Sequence, residues 1–248
     1  MVSEEIISSI SPQRFETYKR VFSEVVYNDD KCDIRHTILF YMEVQRLYSH
    51  FFIPIQVLEV TLRNNMHRAF SEYYQTESWF QKLVNEPFCS KNSKNMFTST
   101  DVFITNHFSR KDMRHRILQP ADYVGKLNFG FWVELLQANY RQTQFWQFHT
   151  EDVFPNKGKS KLGSIDDSLK RVKTIRNRLY HYEPQWKNQK IFLNLDDFCK
   201  NIEDKYLLIM KIVGFCSVGQ KDLLEEYALD FEINIEGFKN TFTDLRDV

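Results

Sequence analysis

The chain has 248 residues, and its 33 Lys and Arg balance 33 Asp and Glu, so the formal net charge is zero. This length allows a sizeable buried core, and one domain spanning 1–248 is the expectation. Gly (7) and Pro (6) are scarce while Phe (22) and Tyr (12) are abundant, which argues against a loop-rich β-sandwich and against disorder. Composition therefore favours an all-α protein.

The cysteines and the apolar segments limit the cellular setting. The four cysteines form no Cys-x-x-Cys pair, so we expect reduced, buried thiols and no zinc site. They are Cys32, Cys89, Cys199 and Cys216. The first ten residues carry Glu4 and Glu5 where a signal peptide would be basic, and the most apolar stretch, 206–218, contains Lys211. We expect a cytoplasmic protein with no membrane partner, no metal and no other cofactor.

Helix signals recur along the first third of the chain. Ser11 before Pro12 predicts the start of a helix that runs to about residue 27. A second helical pattern covers 34–52, and Pro54 predicts the start of a third helix.

The middle of the chain mixes polar and apolar runs. The polar run 89–100 predicts a loop, and 122–130 predicts a turn before a helix that carries the apolar run 131–136. The lysine-rich segment 155–163 predicts a flexible connector. It does not match a phosphate-binding loop, because the last glycine is followed by Ser and Ile rather than by Lys and then Ser or Thr.

Two further helices are predicted in the last third. Ser164, with Asp167 three residues on, resembles a capping pair and predicts a helix start. That helix is expected to end near Pro184. Another helix is predicted over about 196–215, within a C-terminal extension of about 195–248.

Charge is unevenly distributed along the sequence. The segment from Lys157 to Arg178 contains eight basic residues and only two acidic ones, whereas the tail from Asp222 is acidic. The basic segment predicts a phosphate-binding surface, with Lys170, Lys173 and Arg178 as candidate RNA contacts. An ordinary solvated helix face is the alternative.

One short run combines side chains that can act together on a phosphate. Asn177 and His181 are four residues apart and share one face of the predicted helix, and Arg176 is adjacent. Histidine transfers protons near neutral pH, arginine stabilises charge on a pentacoordinate phosphate, and asparagine orients either partner. The trio therefore suits RNA cleavage without a metal.

A second run repeats this order on another predicted helix. Arg63, Asn64 and His67 are candidate auxiliary residues, since Arg63 and His67 are four apart. The alternative is that Arg63 pairs with Glu59 and that His67 only takes part in packing.

Three segments together resemble the successive motifs of the Abi-like abortive-infection proteins, a family of the HEPN superfamily of helical nucleases. They are 52–64, 125–132 and 175–184. The family signature is Arg, a polar residue that is often Asn, and His after four to six intervening positions. Arg176, Asn177 and His181 match it with four, and the resemblance covers about 15–186.

The resemblance implies a HEPN-type helical bundle with additional helices and metal-independent endoribonuclease activity. It also implies a homodimer that brings two motifs together, toxin-like action in phage defence or a toxin–antitoxin system, and for some members a small RNA antitoxin. Cleavage would leave a 2′,3′-cyclic phosphate.

Other interpretations stay open from the sequence. A non-catalytic module could use the same residues to hold a small RNA partner, or Arg176 could simply bridge helices. The pairs 166–167 and 196–197 fit helix starts better than a metal site. The aromatic residues Phe129, Phe131 and Trp132 are expected in the core, with base stacking as the alternative.

Overall fold

The computed structural model describes residues 2–27, 33–108, 117–186 and 191–246. Within these ranges every regular element is helical, which confirms the all-α prediction. The α-helices are α1 (Val2–Ile10), α2 (Pro12–Phe22), α3 (Ile34–Ser49), α4 (Phe52–Tyr74), α5 (Trp79–Leu83), α6 (Lys91–Phe108), α7 (Pro120–Lys126), α8 (Phe129–Glu134), α9 (Ala138–Arg141), α10 (Gln144–Val153), α11 (Leu162–Tyr180), α12 (Leu195–Cys216), α13 (Val218–Leu223) and α14 (Glu225–Arg246). A π-helical turn, Ser23–Tyr27, follows α2. None of the described helices is long and apolar enough to cross a membrane.

The chain divides into two compact units, each built from separate stretches. Unit 1 comprises Met1–Pro54, Asn177–Leu208 and Asp222–Val248. Its core is aromatic: the ring centroid of Phe40 lies 5.0 Å from that of Phe22 and 5.3 Å from that of Phe242. All three rings are fully buried, so their burial holds α2, α3 and α14 together.

Unit 2 comprises Ile55–Arg176 and Ile209–Lys221. Phe70 of α4 stacks on Phe145 of α10 with a centroid distance of 3.7 Å, and lies 4.6 Å from the ring of Trp79 in α5. Trp79 and Trp132 are fully buried. Aromatic packing therefore joins α4, α5 and α10 in this unit.

Several helix boundaries follow the predictions. The Ser11 hydroxyl accepts the backbone N–H of Arg14, so Ser11 caps α2 as predicted, and the π-helical turn extends to the predicted end at Tyr27. Helices α3, α4 and α12 lie within a few residues of their predicted bounds. Helix α1 is not among the predicted helices.

The loop predicted over 89–100 is wrong, because α6 begins at Lys91. The Ser90 hydroxyl accepts the backbone N–H of Ser93 at 3.0 Å and caps the helix. Ser93 is itself fully buried and accepts a hydrogen bond from the Tyr140 hydroxyl at 2.7 Å. A residue distant in sequence thus supplies the hydrogen bond that the buried Ser93 hydroxyl needs, and the polar run forms a helix rather than a loop.

Two other boundaries differ from the predictions. Helix α11 starts at Leu162, so Ser164 lies inside the helix instead of capping it. The turn predicted over 122–130 is shorter, because α7 and α8 leave only Leu127 and Asn128 between them. The Asn128 side chain accepts the backbone N–H of Phe131 at 3.0 Å and caps α8.

Burial tests two expectations from the sequence, one on an aromatic run and one on the cysteines. Phe129, Phe131 and Trp132 are almost completely buried, so they belong to the core and the base-stacking interpretation is wrong. Three cysteines are buried thiols, as predicted, and Cys32 lies outside the described residues. They are Cys89, Cys199 and Cys216. Burial raises the pKa of the Cys199 thiol to about 12.

Candidate functional site

The candidate catalytic residues lie at the C-terminal end of α11. Leu169, Val172 and Ile175 are buried along one face of this helix, so apolar packing fixes the face that turns outward. The backbone N–H of His181 donates to the Asn177 carbonyl at 3.0 Å. His181 therefore continues the helical hydrogen bonding one residue beyond Tyr180.

A Schellman cap closes the helix directly after the histidine. The N–H of Glu183 donates to the Arg178 carbonyl at 2.8 Å, and the N–H of Tyr182 donates to the Leu179 carbonyl at 3.0 Å. Tyr182 has a φ of 55°, in the left-handed region that favours glycine. The two hydrogen bonds fix the backbone on the C-terminal side of His181.

The three motif residues differ in exposure. Asn177 and His181 are exposed, and Arg171 and Thr174 extend the same exposed stripe along α11. Arg176 is half-buried. Five helical positions correspond to a rotation of about 140°, so Arg176 leaves the helix in a different direction from His181. Convergence of all three on one ligand therefore depends on the reach of the long Arg176 side chain.

Arg176 is held by an acidic partner from α4. Its Nε lies 3.6 Å from the Glu59 carboxylate, and the two side chains are 25% and 23% exposed. The alternative prediction that Glu59 pairs with Arg63 is wrong. The Nε of Arg63 is buried and has no hydrogen-bond acceptor among the described residues. Glu59 therefore connects α4 to the motif helix.

His67 is engaged in packing through its ring. The indole N–H of Trp79 donates to the Nδ1 of His67 at 2.9 Å. An indole nitrogen is only a donor, so Nδ1 is unprotonated and the neutral ring carries its proton on Nε2. Burial lowers the pKa of His67, and the opposing charge of Glu77 only reduces this shift.

The neighbouring asparagines have different surroundings. Asn64 is exposed and lines a polar pocket in unit 2. Asn65, which belongs to none of the predicted motifs, is buried, and its amide donates to the carbonyls of Val153 and Cys216, both at 3.0 Å. Its only sequence signal is an amide on the apolar face of α4.

Two of the three predicted RNA-binding cations already bind other groups of the protein. Lys170 contacts the fully buried Asp166 at 2.9 Å, and Arg141 lies 3.8 Å from the same carboxylate. Arg178 donates to the Gln185 carbonyl at 3.1 Å, and Lys173 is half-buried. Arg171 is the exposed cation on the stripe that includes Asn177 and His181.

A cleft of about 600 Å³ in unit 1 borders the segment that follows the motif. Glu183 and Pro184 form one side of it, and α2 contributes Arg14 and Arg20. Two arginines thus line this cleft together with two acids, Glu16 and Glu183.

No protein-family model matches the chain, and comparisons with curated proteins and with solved structures found no significant match.

Proposed function

We propose that this chain is a metal-independent endoribonuclease that acts as a toxin in an abortive-infection or toxin–antitoxin system. The ribose 2′-hydroxyl attacks the adjacent phosphorus and the bond to the 5′-oxygen breaks, leaving a 2′,3′-cyclic phosphate and a 5′-hydroxyl. Arg176 stabilises the pentacoordinate phosphate, Asn177 orients the substrate or the imidazole, and His181 transfers a proton.

The observation that carries the proposal is the placement of His181. Its imidazole is exposed beside Asn177, on a backbone that the Schellman cap fixes. A proton-transfer group must reach substrate while keeping its geometry, and an exposed side chain on a capped helix end meets both needs. Glu59 restrains the Arg176 side chain, which reduces the entropy lost when that side chain engages a phosphate.

One imidazole cannot act on both sides of the phosphate, so a second proton-transfer group is required. His67 is poorly suited, because its Nδ1 already accepts the Trp79 N–H and a neutral ring then presents only a donor at Nε2. This supports a homodimer in which His181 of a second copy supplies the other group. Specific activity should then fall when the protein is diluted below its dimer dissociation constant.

The decisive experiment is cleavage of end-labelled RNA in EDTA by the wild type and by His181→Ala. We expect cyclic-phosphate products from the wild type alone, with His107→Ala of α6 as a matched histidine control that keeps activity. Cleavage by His181→Ala at the wild-type rate would contradict the proposal, and so would a requirement for added Mg²⁺ or Mn²⁺. RNA binding without cleavage by any variant would instead identify a module that holds a small RNA partner.

A further inference from the structure

Three metal-ligating side chains from two helices meet in unit 2. Glu72 lies on α4, and His149 and Asp152 lie on α10, where their i,i+3 spacing places them on one face. One ligand atom from each residue lies within 4.8 Å of the other two. The set offers one imidazole nitrogen and two carboxylates.

The imidazole of His149 is held by its neighbours. Phe145 stacks on it with a centroid distance of 5.3 Å, and Tyr73 meets it edge-on at 5.9 Å. Its Nδ1 lies 2.7 Å from the Asp152 carboxylate. The His149 side chain is 15% exposed while that of Asp152 is 53% exposed, so a rigid nitrogen ligand adjoins a carboxylate open to solvent.

In the described part of the chain, no lysine or arginine forms an ion pair with Glu72 or Asp152. Glu151, next to Asp152, is by contrast paired with Lys157 at 2.8 Å. Arg68 lines the same pocket as Asp152 but donates to the Asn65 side chain. Two carboxylates around one imidazole thus favour a bound cation.

We propose that Glu72, His149 and Asp152 bind a divalent transition-metal ion, with Zn²⁺ the best match. Zn²⁺ accepts mixed nitrogen and oxygen ligands and often takes three from the protein and one from water. Mg²⁺ prefers six oxygen ligands, so the imidazole disfavours it. The ligand atoms around a tetrahedral Zn²⁺ ion lie about 3.3 Å from one another. The ion would therefore take the place of the proton between His149 and Asp152, and these two side chains would move slightly apart from their hydrogen-bonded distance of 2.7 Å.

The bound ion would join α4 to α10 and stabilise unit 2. It is independent of the proposed ribonuclease activity, because none of its ligands belongs to the Arg-Asn-His motif. The experiment that tests this site measures metal binding and melting temperature, neither of which depends on RNA cleavage.

The test is a titration of the purified, reduced protein with Zn²⁺ against a chromogenic chelator, followed by thermal unfolding. We expect one equivalent to bind and the melting temperature to rise by roughly 5–10 °C at a hundredfold excess over the dissociation constant. Glu72→Gln and Asp152→Asn should each weaken binding at least about tenfold. Glu72 is exposed, so Glu72→Gln tests the site without disturbing the core.

Glu151→Gln and His107→Gln are the matched controls, and both should bind Zn²⁺ as the wild type does. Co²⁺ in place of Zn²⁺ should give a visible absorption spectrum without the intense near-ultraviolet band of thiolate ligation. The lack of that band would show that the ion is not bound by cysteines. Absence of binding at about 100 μM Zn²⁺, or equal binding by Glu72→Gln and Asp152→Asn, would overturn the proposal.

Discussion

The two Arg-Asn-His runs of the chain have similar sequences and different surroundings. His67 accepts the Trp79 indole N–H and loses basicity through burial, whereas His181 ends a helix with its ring exposed. Arg176 forms an ion pair with Glu59 at 3.6 Å, whereas no acid among the described residues forms one with Arg63. The same order of residue types therefore serves packing in α4 and leaves α11 open to a ligand.

The largest effect that would separate the two runs is on RNA cleavage. We expect His181→Ala to reduce the cleavage rate by about 10² to 10⁴, because it removes a proton-transfer group. The melting temperature should not change, since the ring is exposed. His67→Ala, assayed at a temperature where both variants are folded, should keep most of the activity. Equal losses in the two variants would show that the comparison is wrong.

The next effect concerns the arginine of α11. Arg176→Ala should lower the cleavage rate by about 10² to 10³, as removal of a group that stabilises transition-state charge does. Glu59→Gln breaks the same ion pair but keeps the guanidinium, so it should retain most of the activity. If both variants lose cleavage and stability to the same degree, Arg176 only bridges helices.

A smaller effect is expected on the stability of unit 2. His67→Ala leaves the buried indole N–H of Trp79 without its acceptor, which costs about 1 to 3 kcal/mol. Urea unfolding should therefore show a lower midpoint for His67→Ala than for His181→Ala. A midpoint equal to that of the wild type would mean that another acceptor replaces the ring.

Tyr182 offers a gain rather than a loss. Its φ of 55° is unfavourable for a residue with a Cβ, so Tyr182→Gly should stabilise the protein by about 0.5 to 1 kcal/mol. Tyr182→Ala keeps the strain and is the control for loss of the ring. A glycine variant no more stable than the alanine variant would refute the strain argument.

The smallest effect is on the pH dependence of stability, because His67 is only half-buried. Its folded-state pKa is below the unfolded value, so its contribution is present above about pH 6.5 and is lost as pH falls through the folded pKa. His67→Gln should therefore lose less stability between pH 7 and pH 5 than the wild type. Denaturant midpoints at both pH values measure the difference.

Local signals predicted much of the fold and little of the surroundings of the candidate site. The cap at Ser11 and the apolar spacing of α12 are encoded within a few residues, so they could be predicted. Helix α6 could not, since Ser93 is satisfied by the Tyr140 hydroxyl, 47 residues away. The pairing of Glu59 with Arg176 likewise joins residues far apart in sequence.

The candidate catalytic residues could be predicted because they form one contiguous run, whereas their availability depends on tertiary contacts. Nothing near His67 in the sequence reveals that Trp79 occupies its Nδ1. The cluster around His149 had one local signal, the His-x-x-Asp spacing on α10, but Glu72 comes from another helix. Side chains supplied by separate helices are the part that spacing alone does not reveal.

The chain passes from one unit to the other several times, and this limits how early a nascent polypeptide could finish folding. Unit 2 is completed only by Ile209–Lys221, and unit 1 only by the stretch that begins at Asp222. The Asn65 amide bonds the Cys216 carbonyl, 151 residues later in the chain. Neither unit can be complete before Ile209 and the residues after it have been translated, so a chain terminated before Ile209 would lack part of both units.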